Sequence, residues 1–286
     1  MPRKKVTLPY LYEKKARREK LPRTVLYDYP MAVLSELAGI EIINVGDSIA
    51  NVMFGEENTL PANLHIMVEH AKAVRKGSPS AFIMGDMPFL SYQVSIPSAI
   101  RNAGRYLKEA NMDCVKVEGG VEVIPVIRAL TDASIPVIAH TGLTPQSVKM
   151  LGGYKTQGRD ANAALNLIHT VIELEKAGSI AIVLESVPNE VSKIIYERIT
   201  IPILGTGVGP YNDSPMINAY DLLGFFDRTP KFAKKYANAK EYFVTALKEF
   251  VKEVETGVYP SEEHSYHMLE GEEEKLKQLL KGDNLK

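Results

Sequence analysis

Along the chain, short apolar runs rich in β-branched residues recur at about 24–27, 41–46, 81–85, 114–117, 135–139, 180–184, 201–204 and, more weakly, 216–220. Helical periodicity fills most of the intervals. Leu64, Met67, Val68, Ala71 and Val74 follow Thr59-Leu60-Pro61 and end in Arg75-Lys76-Gly77, and Thr144-Pro145 has the form of another helix start. This alternation predicts parallel strands joined by crossover helices. Eight strand candidates favour an α/β fold of the (β/α)8 TIM-barrel type over an open doubly wound sheet. After residue 230 the strands stop. A basic N-terminal helix is expected at about 9–20 and C-terminal helices within about 238–281, at 238–256 and 270–281. With no repeat, low-complexity stretch or clear linker, residues 1–286 read as a single barrel domain.

The chemistry gathers where the strands end. Successive candidates close in Tyr27-Asp28, Gly46-Asp47-Ser48, Gly85-Asp86, Lys116-Val117-Glu118, Ala139-His140 and Leu184-Glu185. In a parallel barrel all of these ends open on one face, which carries the active site. For Asp28, Asp47 and Asp86 the competing explanation is a helix N-cap. Asp47, Asp86 and Glu118 end consecutive strands, and converging carboxylates repel unless a cation or protons intervene. Oxygen donors without a His or Cys cluster favour a hard divalent ion such as Mg²⁺.

Lys116 lies two residues before Glu118 and shares its face of the strand. It is either the counter-ion of these acids or, with Ser48, an anchor for a substrate carboxylate. Glu185 faces the trio from across the barrel, either as a general base or as a buried acid paired with a lysine. His140 is catalytic or a hydrogen-bonded rim residue, whereas His264 and His267 read as surface. A 2-oxo acid fits such a site: its carboxylate and ketone oxygens chelate the metal, and the adjacent carbon loses a proton.

Composition narrows the partners. The 286 residues are 45% hydrophobic and 24% charged, enough for a sizeable core, and 34 basic side chains nearly balance 35 acidic ones. A net charge of −1 gives no long-range attraction to nucleic acid or an anionic membrane, so small-molecule substrates are expected. No apolar run has signal-peptide length or the roughly 18 residues of a membrane span. The single cysteine, Cys114, excludes an internal disulfide and reads as core, which suits a cytoplasmic protein. The run Lys14-Lys15-Ala16-Arg17-Arg18 reads as a solvated helix face, with an acidic partner as the alternative.

Longer motifs add a resemblance. VGDS (45–48), GxxxTLP (55–61), HAKAVRKG (70–77), DMPFLSYQ (86–93), VKVEGG (115–120), HTGLTPQSVKMLGGYKTQG (140–158), VLESVP (183–188) and GTGVGP (205–210) resemble the ketopantoate hydroxymethyltransferase family over about residues 23–266. LTPQSV followed by LGGYKxQG is long and specific. The resemblance implies a (β/α)8 barrel of the phosphoenolpyruvate mutase/isocitrate lyase superfamily, assembled as a homo-oligomer, octamer or decamer. It implies transfer of a hydroxymethyl group from 5,10-methylenetetrahydrofolate, or a related pterin, to 3-methyl-2-oxobutanoate, yielding ketopantoate for pantothenate and coenzyme A.

By the same resemblance, Asp47, Asp86 and Glu118 surround Mg²⁺ or another divalent cation, directly or through water. Asp47, Ser48, Asp86 and Lys116 would meet the oxo acid with His140 nearby, and Glu185 would take the proton from C3. No carrier-binding residue is assigned. The chain departs from the family's usual motifs at Val25-Leu26 (Thr-Ala), at VGDSIANV (VGDSLGMV), and at GTGVG with Asp213–Asn218 (GIGAG with DGQVLV). Those changes keep a different carrier, or a paralogue with another 2-oxo acid, in view. A lyase of the same superfamily is disfavoured, because its gating loop carries a cysteine motif and the only cysteine here lies in a strand. A non-catalytic scaffold or sensor is disfavoured by the intact set of costly buried charges.

Overall fold

Eight short parallel strands close into a barrel in the computed structural model, which describes residues 3–282. They are β1 (Arg23–Val25), β2 (Ile42–Val45), β3 (Phe82–Asp86), β4 (Cys114–Glu118), β5 (Val137–Gly142), β6 (Ala181–Glu185), β7 (Ile203–Thr206) and β8 (Ser214–Asn218). Each pairs with its sequence neighbour, and β8 returns to β1 with Met216 beside Arg23 and Asn218 beside Val25. The expected (β/α)8 topology is found. The weakest strand, expected at 216–220, starts two residues earlier. Its pairing with β7 ends at Pro215, whose ring nitrogen has no hydrogen to extend the ladder.

Side-chain alternation splits the core in two. Ile43, Val45, Ile83, Val115 and Val117 point outward and pack with Val68, Ala71 and Val74 of helix Leu64–Gly77. Ile42, Phe82, Met84, Cys114, Ile138 and Leu204 point inward and share a second cluster with Leu11 and Leu21. Cys114 is therefore core, and burial pushes its thiol well above the ordinary value.

Leu11 belongs to helix Leu8–Ala16, which seals the N-terminal end of the barrel. Val6 N donates to Ser80 O (2.7 Å) and Leu21 N to Asp213 O (2.9 Å), fastening the segment beside the starts of β3 and β8. The basic run is largely engaged within the chain: Lys15 meets Asp213 at 3.0 Å, and Lys14 and Arg17 each meet Glu19 at 2.9 Å. The helix is shorter than expected, because Arg18 turns to φ 56.

Two expected caps differ. Helix Leu64–Gly77 is capped by Asn63, whose Oδ1 accepts from Ile66 N at 3.0 Å. Thr144 makes no side-chain cap, and Pro145–Ser147 forms a single 3₁₀ turn ahead of the short helix Val148–Leu151.

Residue contacts divide the chain into two compact units, Met1–Ala237 and Asn238–Lys286, at a boundary that no linker-like composition marks. The second unit contains helices Ala239–Glu255 and Glu272–Gly282, close to their expected spans, and the exposed His264 and His267. Among the described residues no helix is long and apolar enough to cross a membrane.

Candidate active site

Seven of the residues singled out at strand ends meet at the C-terminal mouth of the barrel. Asp47 and Ser48 follow β2, Asp86 closes β3, Lys116 and Glu118 lie on β4, His140 on β5, and Glu185 closes β6. Lys116 Nζ lies 2.8 Å from Asp86 Oδ2 and 3.1 Å from His140 Nδ1. Asp47 N donates to Asp86 Oδ2 at 3.3 Å. His140 Nδ1 is 3.2 Å from Glu118 Oε2, and its Nε2 is 3.2 Å from Glu185 Oε2. Ser48, Asp47, Asp86, Lys116, His140 and Glu185 line one cavity of about 160 Å³.

Asp28 stands apart: it caps helix Tyr29–Ala38, accepting from Met31 N at 2.8 Å. The cap explanation fails for Asp47 and Asp86. Ser48 is the residue before helix Ile49–Phe54, with no side-chain cap bond, and the Asp86 carboxylate faces Lys116 and Asp47 N.

Two glycines make the convergence possible. A Cβ on Gly46 would meet Ser48 Oγ at 2.9 Å and Val25 Cγ1 at 3.0 Å, closing the space into which Ser48 points. A Cβ on Gly85 would run into the ring of Tyr106, whose hydroxyl donates to Asp86 O.

The charges are mutually dependent. Burial pushes the Asp47 carboxyl up to about 7; Lys116 opposes that shift, and Asp86 and Glu118 reinforce it. Burial acts to lower the Lys116 ammonium, but Asp86, Asp47 and Glu118 outweigh it and hold it above the ordinary lysine value. For His140, burial and Lys116 favour the neutral ring, while Glu118 and Glu185 prevail and raise it.

The donor set fits a divalent cation. Asp86 Oδ1 and Glu118 Oε2 are buried without a hydrogen-bond partner, the latter close to His140 but outside bonding geometry. Unpaired buried carboxylate oxygens are costly unless a cation takes them. Among the described residues no three acid, His or Cys side chains form a cage on their own. That arrangement suits an ion such as Mg²⁺, which keeps waters and leaves positions for substrate oxygens.

Several residues of the site were not anticipated. Gln146 is 5% exposed and holds the acids in place: its backbone N donates to Glu118 Oε1 (2.7 Å) and its Nε2 to Asp47 Oδ2 (2.7 Å) and Met87 O (3.0 Å). Tyr92 Oη donates to Gln146 Oε1 at 2.8 Å. The only sequence signal for Gln146 was its place inside LTPQSV.

Ser48 is oriented from below. Tyr220 N donates to Asn218 Oδ1 (3.1 Å), which fixes the amide so that Nδ2 donates to Tyr27 Oη (2.6 Å). The Tyr27 hydroxyl in turn lies 2.8 Å from Ser48 Oγ, a hydrogen bond in which either hydroxyl can donate and which fixes where the serine oxygen sits.

A larger cavity, about 870 Å³, adjoins the first. Glu185, Met216 and Phe232 line both, and Tyr154, Val208 and Pro215 help to wall the larger one.

A closed parallel barrel with an acid-rich C-terminal mouth places the chain in an architectural class shared by solved enzymes of the phosphoenolpyruvate mutase/isocitrate lyase superfamily. A 2,3-dimethylmalate lyase of that superfamily superposes with a TM-score of 0.59 at 16% identity, covering 96% of this chain and 98% of that one. A phosphonopyruvate hydrolase, solved in complex with oxalate and Mg²⁺, does so with a TM-score of 0.59 at 13% identity, covering 98% and 99%. At such identity the likeness is one of fold.

The sequence is more specific: the chain belongs to the ketopantoate hydroxymethyltransferase family, whose model matches residues 5–262. It is 45% identical over 267 residues to the 3-methyl-2-oxobutanoate hydroxymethyltransferase of Syntrophomonas wolfei, covering 93% of this chain and 97% of that protein. It is 46% identical over 275 residues to the one of Alkaliphilus metalliredigens, covering 96% and 97%.

Proposed function

We propose that the chain transfers a hydroxymethyl group from 5,10-methylenetetrahydrofolate, or a related reduced pterin, to 3-methyl-2-oxobutanoate, giving 2-dehydropantoate. The observation that carries this reading is the position of Glu185 at the junction of two cavities. One is small and lined by acids, Lys116 and Ser48; the other is larger and walled by Tyr154, Val208 and Phe232. The oxo acid fits the first, and a flat heterocyclic carrier fits the second.

Asp47, Asp86 and Glu118 would hold a divalent cation, directly or through water, and that ion supplies Lewis acidity toward the oxo acid's carboxylate and ketone oxygens. Ser48 donates its hydroxyl to the carboxylate while accepting from Tyr27, and Lys116 adds positive charge beside it. Glu185 removes the proton from C3, with His140 holding the carboxylate in line. The methylene carbon is bonded to two carrier nitrogens: one carbon–nitrogen bond breaks as C3 bonds to the carbon, the other breaks as a water oxygen takes its place, and the two nitrogens take up the proton removed from C3 and one from the water. One water is consumed to supply the new hydroxyl group, and the carrier departs as the tetrahydro form.

The same reading makes the protein a cytoplasmic enzyme of pantothenate synthesis, working as a homo-oligomer. Exposed Leu247, Phe250, Val251 and Val254 on helix Ala239–Glu255 support an assembly that covers them.

The test is incubation with Mg²⁺, 3-methyl-2-oxobutanoate and 5,10-methylenetetrahydrofolate in D₂O, followed by NMR. Loss of the C3 hydrogen signal together with 2-dehydropantoate above the uncatalysed rate is the expected result. Exchange without product would overturn the carrier assignment, and neither signal would overturn the reading as a whole.

A further inference from the structure

The small cavity has a second polar wall that the transfer above does not use. Arg23, the first residue of β1, is 4% exposed and lines this cavity with Asn44, Thr206 and Asn218. The interior of such barrels is ordinarily packed with branched apolar side chains, and an aliphatic acceptor tail asks for nothing else. Thr206 and Asn218 instead add a hydroxyl and an amide to that wall.

Arg23 is also a cation that pairs with no anion among the described residues. Nη1 donates to Asn44 Oδ1 (3.1 Å), and Nη2 to Gly205 O (3.0 Å) and Thr206 Oγ1 (3.3 Å), all neutral acceptors. Nε has no partner. Asp86 and Glu185 act on the guanidinium only from a distance, and against its burial. Asp221 is the acid on the same wall, and Lys235 offsets its charge. A buried guanidinium bonded only to neutral groups is a poor structural filler and a good receptor for a carboxylate.

We propose that Arg23, with Asn44, Thr206 and Asn218, forms a second anion subsite in the acceptor cavity, so that the site binds short 2-oxo acids carrying a carboxylate at the far end. The proposal rests on the oxo acid occupying this cavity, as described under Proposed function. Ser48, Lys116 and the cation then hold the oxo-acid end, and Arg23 holds the distal end.

A matched pair of probes tests it. With Mg²⁺ and the full chain, calorimetry compares 2-oxopentanedioate with 2-oxopentanoate, which differ only in the terminal carboxylate, and with 3-methyl-2-oxobutanoate. The dioate is expected to bind about tenfold tighter than 2-oxopentanoate or better. Arg23→Met should abolish that preference while leaving 2-oxopentanoate within about threefold. Equal binding of the pair by the wild type overturns the proposal, as does an equal loss of both acids in Arg23→Met, which would make Arg23 a counter-ion of Asp86 and Glu185. The wild-type comparison needs no variant. Should Arg23→Met fail to fold, Asn44→Leu removes the Nη1 partner and is expected to reduce the preference in part, and an unchanged preference counts against the subsite. Binding and C3 exchange of 3-methyl-2-oxobutanoate without any dioate preference would overturn the subsite alone. Failure of all three acids to bind would overturn the acceptor cavity and both readings.

Discussion

His140 Nε2 lies 3.2 Å from Glu185 Oε2, so the carboxylate that closes β6 rests against a ring held by β5. The same ring approaches Glu118 and Lys116 through Nδ1, which ties the proposed base to the acids around the cation. Among the described residues no lysine pairs with Glu185, as its alternative reading as a structural acid would require. Its side chain is 19% exposed, enough to reach an acceptor in the cavity.

Glu185→Gln separates binding from proton transfer. The amide keeps a polar contact with His140 but cannot take a proton from carbon. Exchange of the C3 hydrogen in D₂O should fall by about 10²–10⁴-fold. Mg²⁺-dependent binding of 3-methyl-2-oxobutanoate, followed by calorimetry, should change little. A variant that exchanges at the wild-type rate would remove Glu185 from its role.

Gln146→Leu tests whether the acids depend on their supporting amide. The change keeps the backbone bond to Glu118 and removes the side-chain bonds to Asp47, Met87 and Tyr92. Apparent Mg²⁺ affinity should weaken by about 10–100-fold, with a loss of about 1–3 kcal/mol of stability from the polar groups left unpaired. Mg²⁺ titration and thermal melting read the two effects separately. A drop in stability with unchanged Mg²⁺ affinity would confine Gln146 to folding.

What the sequence revealed follows from what kind of signal each feature leaves. Strands β2 to β7 announced themselves as apolar runs, and the acids at their ends were visible because a polar residue after such a run breaks the pattern. Arg23 left no such mark: it begins a three-residue strand, pairing of β1 with β2 brings it to Asn44, and only closure of the barrel brings it to Thr206. Gln146 and Tyr27 act through partners far along the chain, 99 residues away in the case of Asp47, so no local pattern could expose them. The division after residue 237 was also silent, because nothing in its composition reads as a linker. Helix caps were legible in kind but not in place, since Asn63 and Thr59 compete to start one helix and only packing selects between them.

Glu36 predicts an acid-side dependence of stability. Burial acts to raise its carboxyl, but hydroxyl donors from Ser78 (2.6 Å) and Ser80, with Arg3 nearby, outweigh it and hold the group below its ordinary value of 4.5. A depressed carboxyl stabilises the fold above the unfolded value, and that contribution is lost as pH falls through the folded value. Glu36→Gln should therefore melt below the wild type at pH 6–7, by no more than about 1 kcal/mol for a group this exposed. The gap should narrow as the pH approaches about 3. A gap that stays constant across this range would mean that the contribution of Glu36 does not depend on its charge, and no gap at pH 6–7 would mean that the hydroxyls serve an amide as well as a carboxylate.

Gly85→Ala and Gly104→Ala make a pair in which the same added methyl group meets opposite surroundings. On Gly85 it would drive into the Tyr106 ring, which is fully buried and holds Asp86 O. Tyr106 lies on helix Ile96–Ala110, where a methyl on Gly104 meets nothing within 4 Å. Overpacking at Gly85 should cost about 1–3 kcal/mol, whereas Gly104→Ala should gain about 0.5–1 kcal/mol through helix propensity and a less flexible unfolded chain. The displaced tyrosine should also disturb Asp86, so Gly85→Ala is expected to weaken Mg²⁺ binding and Gly104→Ala to leave it unchanged. Thermal melts and Mg²⁺ titrations of the two proteins would decide the matter: equal melting temperatures would mean that the Tyr106 ring can yield without cost, and the close approach at Gly85 would then have no part in positioning Asp86.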